Sequence, residues 1–253
     1  MDRQELAGSA ADTKTGKVPL LSKQFDETKY AGPEHLDPDY VAKYDSKART
    51  DPTADVKHLK DFGLGADSVV ADLGAGSGTF AVAIAPHCKK VIAVDISPAM
   101  IEATKAKIEK LGLKNVEVVK DGFLSFEAPA GSIDFVYSRN ALHQLPDRQK
   151  EIALKRISEL LRPLGVLYLK DLVYSFPKEE ADTYLKAWLD TAPEHPEDGW
   201  TRQELETHIK TEFSTYSETL EAMLDQAGFE IREVDHRGNK IFSAYTCTKK
   251  LSS

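Results

Sequence analysis

The chain has 253 residues, 41% of them hydrophobic and 29% charged, with a formal net charge of −8. That is enough polypeptide for one domain with a sizeable core, and the acidic balance works against a phosphate backbone, so no nucleic-acid partner is expected. Two cysteines, Cys88 and Cys247, build neither a disulfide framework nor a zinc site alone, which points to a reducing, cytoplasmic setting. The N-terminus has no apolar stretch of the secretory kind, and no window approaches the ~18 apolar residues of a membrane span.

Residues 1–28 are polar and aperiodic and read as a mobile tail ahead of one domain over 29–253. From 37 to 64 the pattern is helical: Tyr40, Val41 and Tyr44 share a face, and Val56, Leu59 and Phe62 form another. Val69-Val70-Ala71 then reads as a buried strand, 76–85 as a helix and 91–94 as a second strand. Ser97-Pro98 caps a helix running to about residue 110. Its Lys105, Lys107 and Lys110, and Lys114 beyond, are interleaved with Glu102 and Glu109, a solvated face rather than a basic patch. Strands over 115–120, 133–137 and 166–170 follow, with a helix over 149–161 before the last. Such strand–helix alternation predicts a parallel sheet covered on both faces.

Residues 174–213 break this rhythm and read as a helical insertion holding Trp188 and Trp200. A helix over 214–227 stops at Gly228, and two strands over 229–234 and 241–248 make a terminal hairpin. The expected fold is α/β: a doubly wound, Rossmann-like seven-stranded sheet, mostly parallel with an antiparallel C-terminal hairpin, and a helical lid.

The sharpest motif is Asp72-Leu73-Gly74-Ala75-Gly76-Ser77-Gly78, directly after the first strand. Small residues there let the backbone turn tightly and let a ligand approach it. Asp95 ends the second strand, where a carboxylate can accept from the ribose hydroxyls of an adenosine. A dinucleotide site wants glycine or alanine at the loop's sixth position, which is Thr79 here. Asp72 would also repel a pyrophosphate, whereas it suits a cofactor with a charged amino-acid arm.

Asp-x-Gly-x-Gly-x-Gly resembles the first motif of class I S-adenosylmethionine-dependent methyltransferases. Further matches are Val91-Ile92-Ala93-Val94-Asp95-Ile96-Ser97, Val119-Lys120-Asp121-Gly122-Phe123, 134–143 and Leu160-Leu161-Arg162-Pro163-Leu164-Gly165. Together they are similar to the small-molecule branch near the ubiquinone/menaquinone-type enzymes. The resemblance implies S-adenosyl-L-methionine as cofactor. Asp72 would hold its ammonium group, and Gly74, Ala75, Gly76 and Gly78 its methionine arm. Asp95 would bind the ribose, with Ile96 against the adenine. Asp121, Gly122 and Phe123 would form the adenine pocket. Ser138, Arg139 and Asn140 would border the methyl-donor end, and Tyr44 would be the lid tyrosine. The partner implied is a small-molecule methyl acceptor, with no membrane, on a monomer or homodimer. The segment over 178–215 matches nothing in the quinone enzymes and leaves the acceptor open.

Methyl transfer from a sulfonium is an in-line displacement, so the protein mainly aligns and desolvates the acceptor. His143, just past strand four at the carboxyl edge, is the candidate base; the alternative is a histidine bonded locally. Arg139 can pair with a carboxylate of the acceptor or cofactor, or else in a surface ion pair. Asp171, ending strand five, faces the acceptor or caps a turn. Glu204 and His208 share a helix face, but without a second histidine there no metal is expected. Trp188, Trp200, Phe213 and Tyr216 could wall an acceptor pocket or pack as core. Two rival functions remain: a nucleotide-dependent oxidoreductase, which Thr79 and the terminal hairpin disfavour, and a non-catalytic module that binds the cofactor.

Overall fold

The computed structural model describes residues 25–48 and 50–251; the first 24 residues of the expected tail lie outside the described residues. Five parallel strands, β1 (Val69–Leu73), β2 (Lys90–Asp95), β3 (Val116–Lys120), β4 (Ile133–Arg139) and β5 (Leu161–Tyr174), join the antiparallel hairpin of β7 (Phe229–His236) and β8 (Phe242–Lys249). The strand order is β3-β2-β1-β4-β5-β8-β7, with the two-residue β6 (Thr215–Tyr216) pairing β5 beside this path. The expected seven strands and hairpin are there, and β6 is the eighth.

Strand alternation sorts the core into two layers. Ala71, Leu73, Ile92, Val94 and Val136 face one side, packed with Leu154 and Ile157 of α5 (Asp147–Leu160) and Leu220 and Leu224 of α8 (Ser217–Gln226). Val70, Val91, Ala93, Phe135 and Tyr137 face the other, against Leu59 of α2 (Thr53–Asp61) and Phe80 and Ile84 of α3 (Thr79–Ile84). Helix α4 (Pro98–Leu111) begins as its sequence predicts. The Ser97 hydroxyl accepts from the Met100 N–H, Pro98 takes the first turn, and Gly112 ends the helix at φ +64°.

The chain departs from its local pattern in three places. α3 starts at Thr79 rather than 76, because Gly74, Gly76 and Gly78 stand at φ +72°, +54° and +75°, values a right-handed helix excludes. β5 runs well past residue 170, because its far half pairs with β8 through Leu172–Phe242 and with β6 through Val173–Thr215. The expected helix over 214–227 loses its first turn to β6 for the same reason.

Residues 174–213 form the expected insertion, with α6 (Ala181–Leu189) and α7 (Arg202–Thr211). Trp188 and Leu205 bury against Leu172, Tyr174 and Ile241, a third apolar cluster beyond the sheet's carboxyl edge. α1 (Pro38–Ala48) lies over the same edge, where the chain's progress through the sheet reverses between β1 and β4 and open α/β sheets bind ligands. Among the described residues no helix is long and apolar enough to cross a membrane.

Candidate functional site

The loop after β1 is anchored by its neighbour strand. The Gly74 and Ala75 N–H groups both donate to the Val94 carbonyl, at 2.9 and 3.0 Å. Gly76 N–H donates to Asp95 Oδ2 at 2.7 Å, and Ser97 N–H to Asp95 Oδ1 at 2.8 Å. Asp95 thus fixes the loop while lining a cavity of about 90 Å3 with Gly74, Gly76, Ile96, Asp121 and Phe123. The glycines do different work. A Cβ on Gly74 would collide with Ala141, and one on Gly78 would meet Thr104, whereas the nearest atom to one on Gly76 is Met100 Sδ at 4.0 Å.

Asp72 is 2% exposed, and its Oδ2 has no hydrogen-bond partner. Burial, with the Asp95 charge added, pushes its carboxyl well above the usual range; the Ala81 N–H opposes this. Burial raises Asp95 as well. Two such carboxylates beside a glycine loop favour a ligand carrying positive charge and disfavour a pyrophosphate. Asp72 faces a second cavity, of about 400 Å3, which adjoins the first through Tyr44, Gly74, Gly76, Arg139 and Asn140. Arg139 makes no ion pair with any described residue. Asn140 holds φ +49°, a left-handed value asparagine tolerates, with its N–H on the Lys170 carbonyl at 2.8 Å.

Two N-terminal pieces close over this edge. In α1, Asp45 accepts from the Ser77 hydroxyl and pairs with Lys107 at 2.5 Å, latching the helix to the glycine loop. Tyr44 of the same helix stands edge-on to His35 and Trp200. Glu27, within the stretch expected to be a tail, is instead buried. Its carboxylate accepts from the Leu124 N–H at 2.9 Å, so closely that a Cβ on Gly122 would strike it.

A third cavity, of about 310 Å3, lies under the insertion and meets the other two at Tyr44 and Asn140. Tyr40, Trp188, Trp200 and Phe242 give it aromatic walls, and His143, His208 and Glu212 an ionic floor. His143 is 5% exposed. Its Nδ1 lies 2.5 Å from Asp171 Oδ1, and its backbone N–H donates to Asp171 Oδ2 at 3.0 Å. Its Nε2 lies 2.7 Å from Glu212 Oε2, which His208 Nδ1 also touches. Burial alone would lower His143, but Asp171 and Glu212 outweigh it and raise the imidazolium to about 9. Glu212 is held well below the usual carboxylate range: burial raises it, and the two imidazoles more than reverse that.

Asp72, Gly74, Ala75, Gly76, Asp95, Ile96, Asp121, Gly122, Phe123, Arg139 and Tyr44 therefore share one composite cleft. Ser138 and Gly78 do not join it. Ser138 is fully buried within β4 with its hydroxyl unpartnered, and Gly78 serves the packing of Thr104. Trp188 and Trp200 line the third cavity; Phe213 is 38% exposed beside Tyr30, and Tyr216 packs on Tyr174. Asp171 binds His143 through both carboxylate oxygens and also lines the second cavity. Glu204 and His208, which the spacing places on one solvated helix face, part company: Glu204 completes the capping box of Thr201 and pairs with Lys47, while His208 turns inward to Glu212 one helical turn later. Glu212 and Glu27 went unread in the sequence, although Glu212 stands four residues after His208 and that spacing was legible.

Residues 70–165 match the family described as a methyltransferase domain. An uncharacterized methyltransferase of Bacillus velezensis is 28% identical over 202 residues, covering 77% of this chain and 88% of the relative. In fold, the chain is similar to a SAM-dependent methyltransferase of Aquifex aeolicus, with a TM-score of 0.51 at 24% identity over 88% of this chain and 99% of the other. It is also similar to phosphoethanolamine N-methyltransferase 2 of Haemonchus contortus, solved with S-adenosyl-L-methionine, with a TM-score of 0.64 at 16% identity over 90% and 60% of the two chains.

Proposed function

From the premise that this chain belongs to the class I S-adenosylmethionine-dependent methyltransferases, we propose that it transfers the methyl group to a small molecule seated in the 310 Å3 cavity beneath α6 and α7. The observation that carries the reading is the buried, unpartnered Asp72 Oδ2 beside a glycine loop pinned to Asp95. An ammonium group relieves such a carboxylate, and the loop leaves backbone room for the arm that bears it. S-adenosyl-L-methionine, once bound, supplies an electrophilic methyl carbon on a sulfonium.

The chain's own residues do the rest. Asp72 holds the ammonium group and Arg139 faces the carboxylate of the same arm. Asp95 accepts from the ribose hydroxyls, and Asp121 from the adenine amino group beside Gly122 and Phe123. Tyr44 and Asn140, common to all three cavities, form the neck between donor and acceptor. Aromatic walls keep water out, and alignment of this kind contributes up to roughly 7–11 kcal/mol in well-oriented systems. The acceptor's size supports a small molecule: 310 Å3 is at the low end for ligand pockets. His143 contacts the acceptor from the floor. Because two carboxylates hold its proton, it is no free base at neutral pH, and activation of the acceptor falls to another device.

Calorimetric titration with S-adenosyl-L-methionine should give a dissociation constant in the micromolar range. Asp72→Asn should weaken it at least tenfold without altering the fold by circular dichroism. Labelled methyl from the cofactor should appear in the low-mass fraction of a metabolite extract. Wild-type affinity in Asp72→Asn would refute the placement of the arm, and label only in macromolecules would refute the acceptor class.

A further inference from the structure

Three ligand-type atoms converge on the floor of the acceptor cavity: His143 Nε2, His208 Nδ1 and Glu212 Oε2, all within 4.8 Å of one another. None of the three residues lines the cavity that holds Asp95 and Asp121. Each ring has its other nitrogen already engaged. Asp171 Oδ1 takes His143 Nδ1 at 2.5 Å, and Ser214 Oγ lies 2.9 Å from His208 Nε2. Once the Nε2 proton of His143 is given up, the Asp171 carboxylate on Nδ1 fixes the tautomer that presents Nε2 as a ligand, the arrangement found behind metal-bound histidines. Phe213 N–H donates to the His143 carbonyl at 2.9 Å, tying the segment that carries Glu212 to the one that carries His143.

The facing atoms do not satisfy one another as hydrogen bonds. Glu212 Oε2 touches both rings, yet neither approach has hydrogen-bond geometry, and the oxygen is buried without such a partner. Two ring nitrogens and a carboxylate oxygen this close need positive charge among them, which protons on the rings or one metal ion can supply. Two ligands 2.1 Å from a shared tetrahedral ion sit about 3.4 Å apart, so a small outward shift of Glu212 accommodates one.

We propose that His143, His208 and Glu212 bind one divalent first-row transition-metal ion at the floor of the acceptor cavity, with Asp171 and Ser214 positioning the two imidazoles. Two imidazoles and one carboxylate suit ions of the zinc or iron class, and three protein ligands leave further coordination positions. Those positions face the 310 Å3 cavity, which assigns the site to acceptors that present an oxygen or nitrogen ligand. Ion binding is read directly and stands apart from the methyl-transfer reading, so either can fail alone.

The test uses full-length, tag-free protein stripped with chelator and titrated with Co2+ and Zn2+ by calorimetry and visible absorption. One equivalent should bind with a dissociation constant at or below micromolar, giving a Co2+ d–d band that Zn2+ abolishes. Glu212→Gln, nearly isosteric, and His208→Ala should each weaken binding at least 100-fold while S-adenosyl-L-methionine still binds. Asp171→Asn, which does not touch the ion, should weaken it about 10–100-fold. If His208→Ala fails to fold, Glu212→Gln carries the test. No saturable Co2+ uptake at millimolar concentration, or equal affinity in wild type and Glu212→Gln, overturns the proposal and leaves a proton-bridged cluster or an adventitious ion only.

Discussion

Burial at the end of β1, with the Asp95 charge added, makes ionisation of Asp72 costly, and this sets a pH signature. With the folded-state value of Asp72 raised, the free protein binds its proton more tightly than the unfolded chain does. This group's contribution to stability is therefore present below the usual carboxylate range and is lost as pH rises through the raised value. An ammonium ligand reverses the preference. Affinity for S-adenosyl-L-methionine should fall by up to tenfold per unit as pH drops below the free-protein value of Asp72, and the melting-temperature gain on binding should grow as pH rises. Calorimetry in buffers of different ionisation enthalpy should show proton release on binding; none at any acidic pH would remove Asp72 from the contact. The glycines separate in the same way. Gly76→Ala places a methyl in open space at a left-handed φ, costing about 1–2 kcal/mol of stability. That methyl points along the cleft, so cofactor affinity should drop at least tenfold. Gly78→Ala drives its methyl into Thr104, so it should lower the melting temperature more and affinity less.

At the scale of elements, the sequence announces whatever a helix or strand does with its own residues and hides what it does with distant ones. The Ser97–Pro98 cap and the period of β1 and β2 are written locally and form as expected. β5 is extended by partners in β8 and β6 that lie far along the chain, so its length was not legible. The same holds at the site. The glycine loop is a contiguous motif and was read; the floor of the acceptor cavity joins residue 143 to 208 and 212 across an insertion, and only folding brings them together. α1 illustrates a latch of this long-range kind. Asp45 is about half exposed, so its pair with Lys107 adds little to stability, under about 1 kcal/mol. It nevertheless ties the helix bearing Tyr44 to Ser77. Asp45→Ala should leave the melting temperature within about 2 °C and speed S-adenosyl-L-methionine dissociation several-fold in stopped flow. An unchanged dissociation rate would show that α1 does not retain the cofactor.

Across the whole molecule, one buried cluster joins the helical layer to the sheet under the cleft. Asp55 of α2, 2% exposed, accepts from Tyr137 Oη of β4 at 2.7 Å and from Lys170 Nζ of β5 at 2.6 Å, with Tyr168 Oη at 3.4 Å. Burial lowers Lys170, and Asp55 is the anion that offsets it. Strand order and the two-layer core were legible because apolar alternation is local. This tie was not, because a lone aspartate on a helix face reads as solvated. Its removal strands a charge that cannot reach bulk water freely. Asp55→Asn should therefore cost about 2–4 kcal/mol, less than a wholly buried pair because Lys170 keeps some exposure. For a chain of this length that lowers the melting temperature by about 5–15 °C. Adding Lys170→Met should recover part of the loss, since the uncompensated ammonium is then gone. Asp55 lines none of the three cavities, so cofactor affinity at low temperature should stay within about threefold in Asp55→Asn, whereas Lys170 lines the second cavity and the double variant is read for stability alone. Additive losses in the double variant would show that the two side chains act separately. A cofactor defect that tracks the melting temperature would instead make the cluster part of the site rather than the frame beneath it.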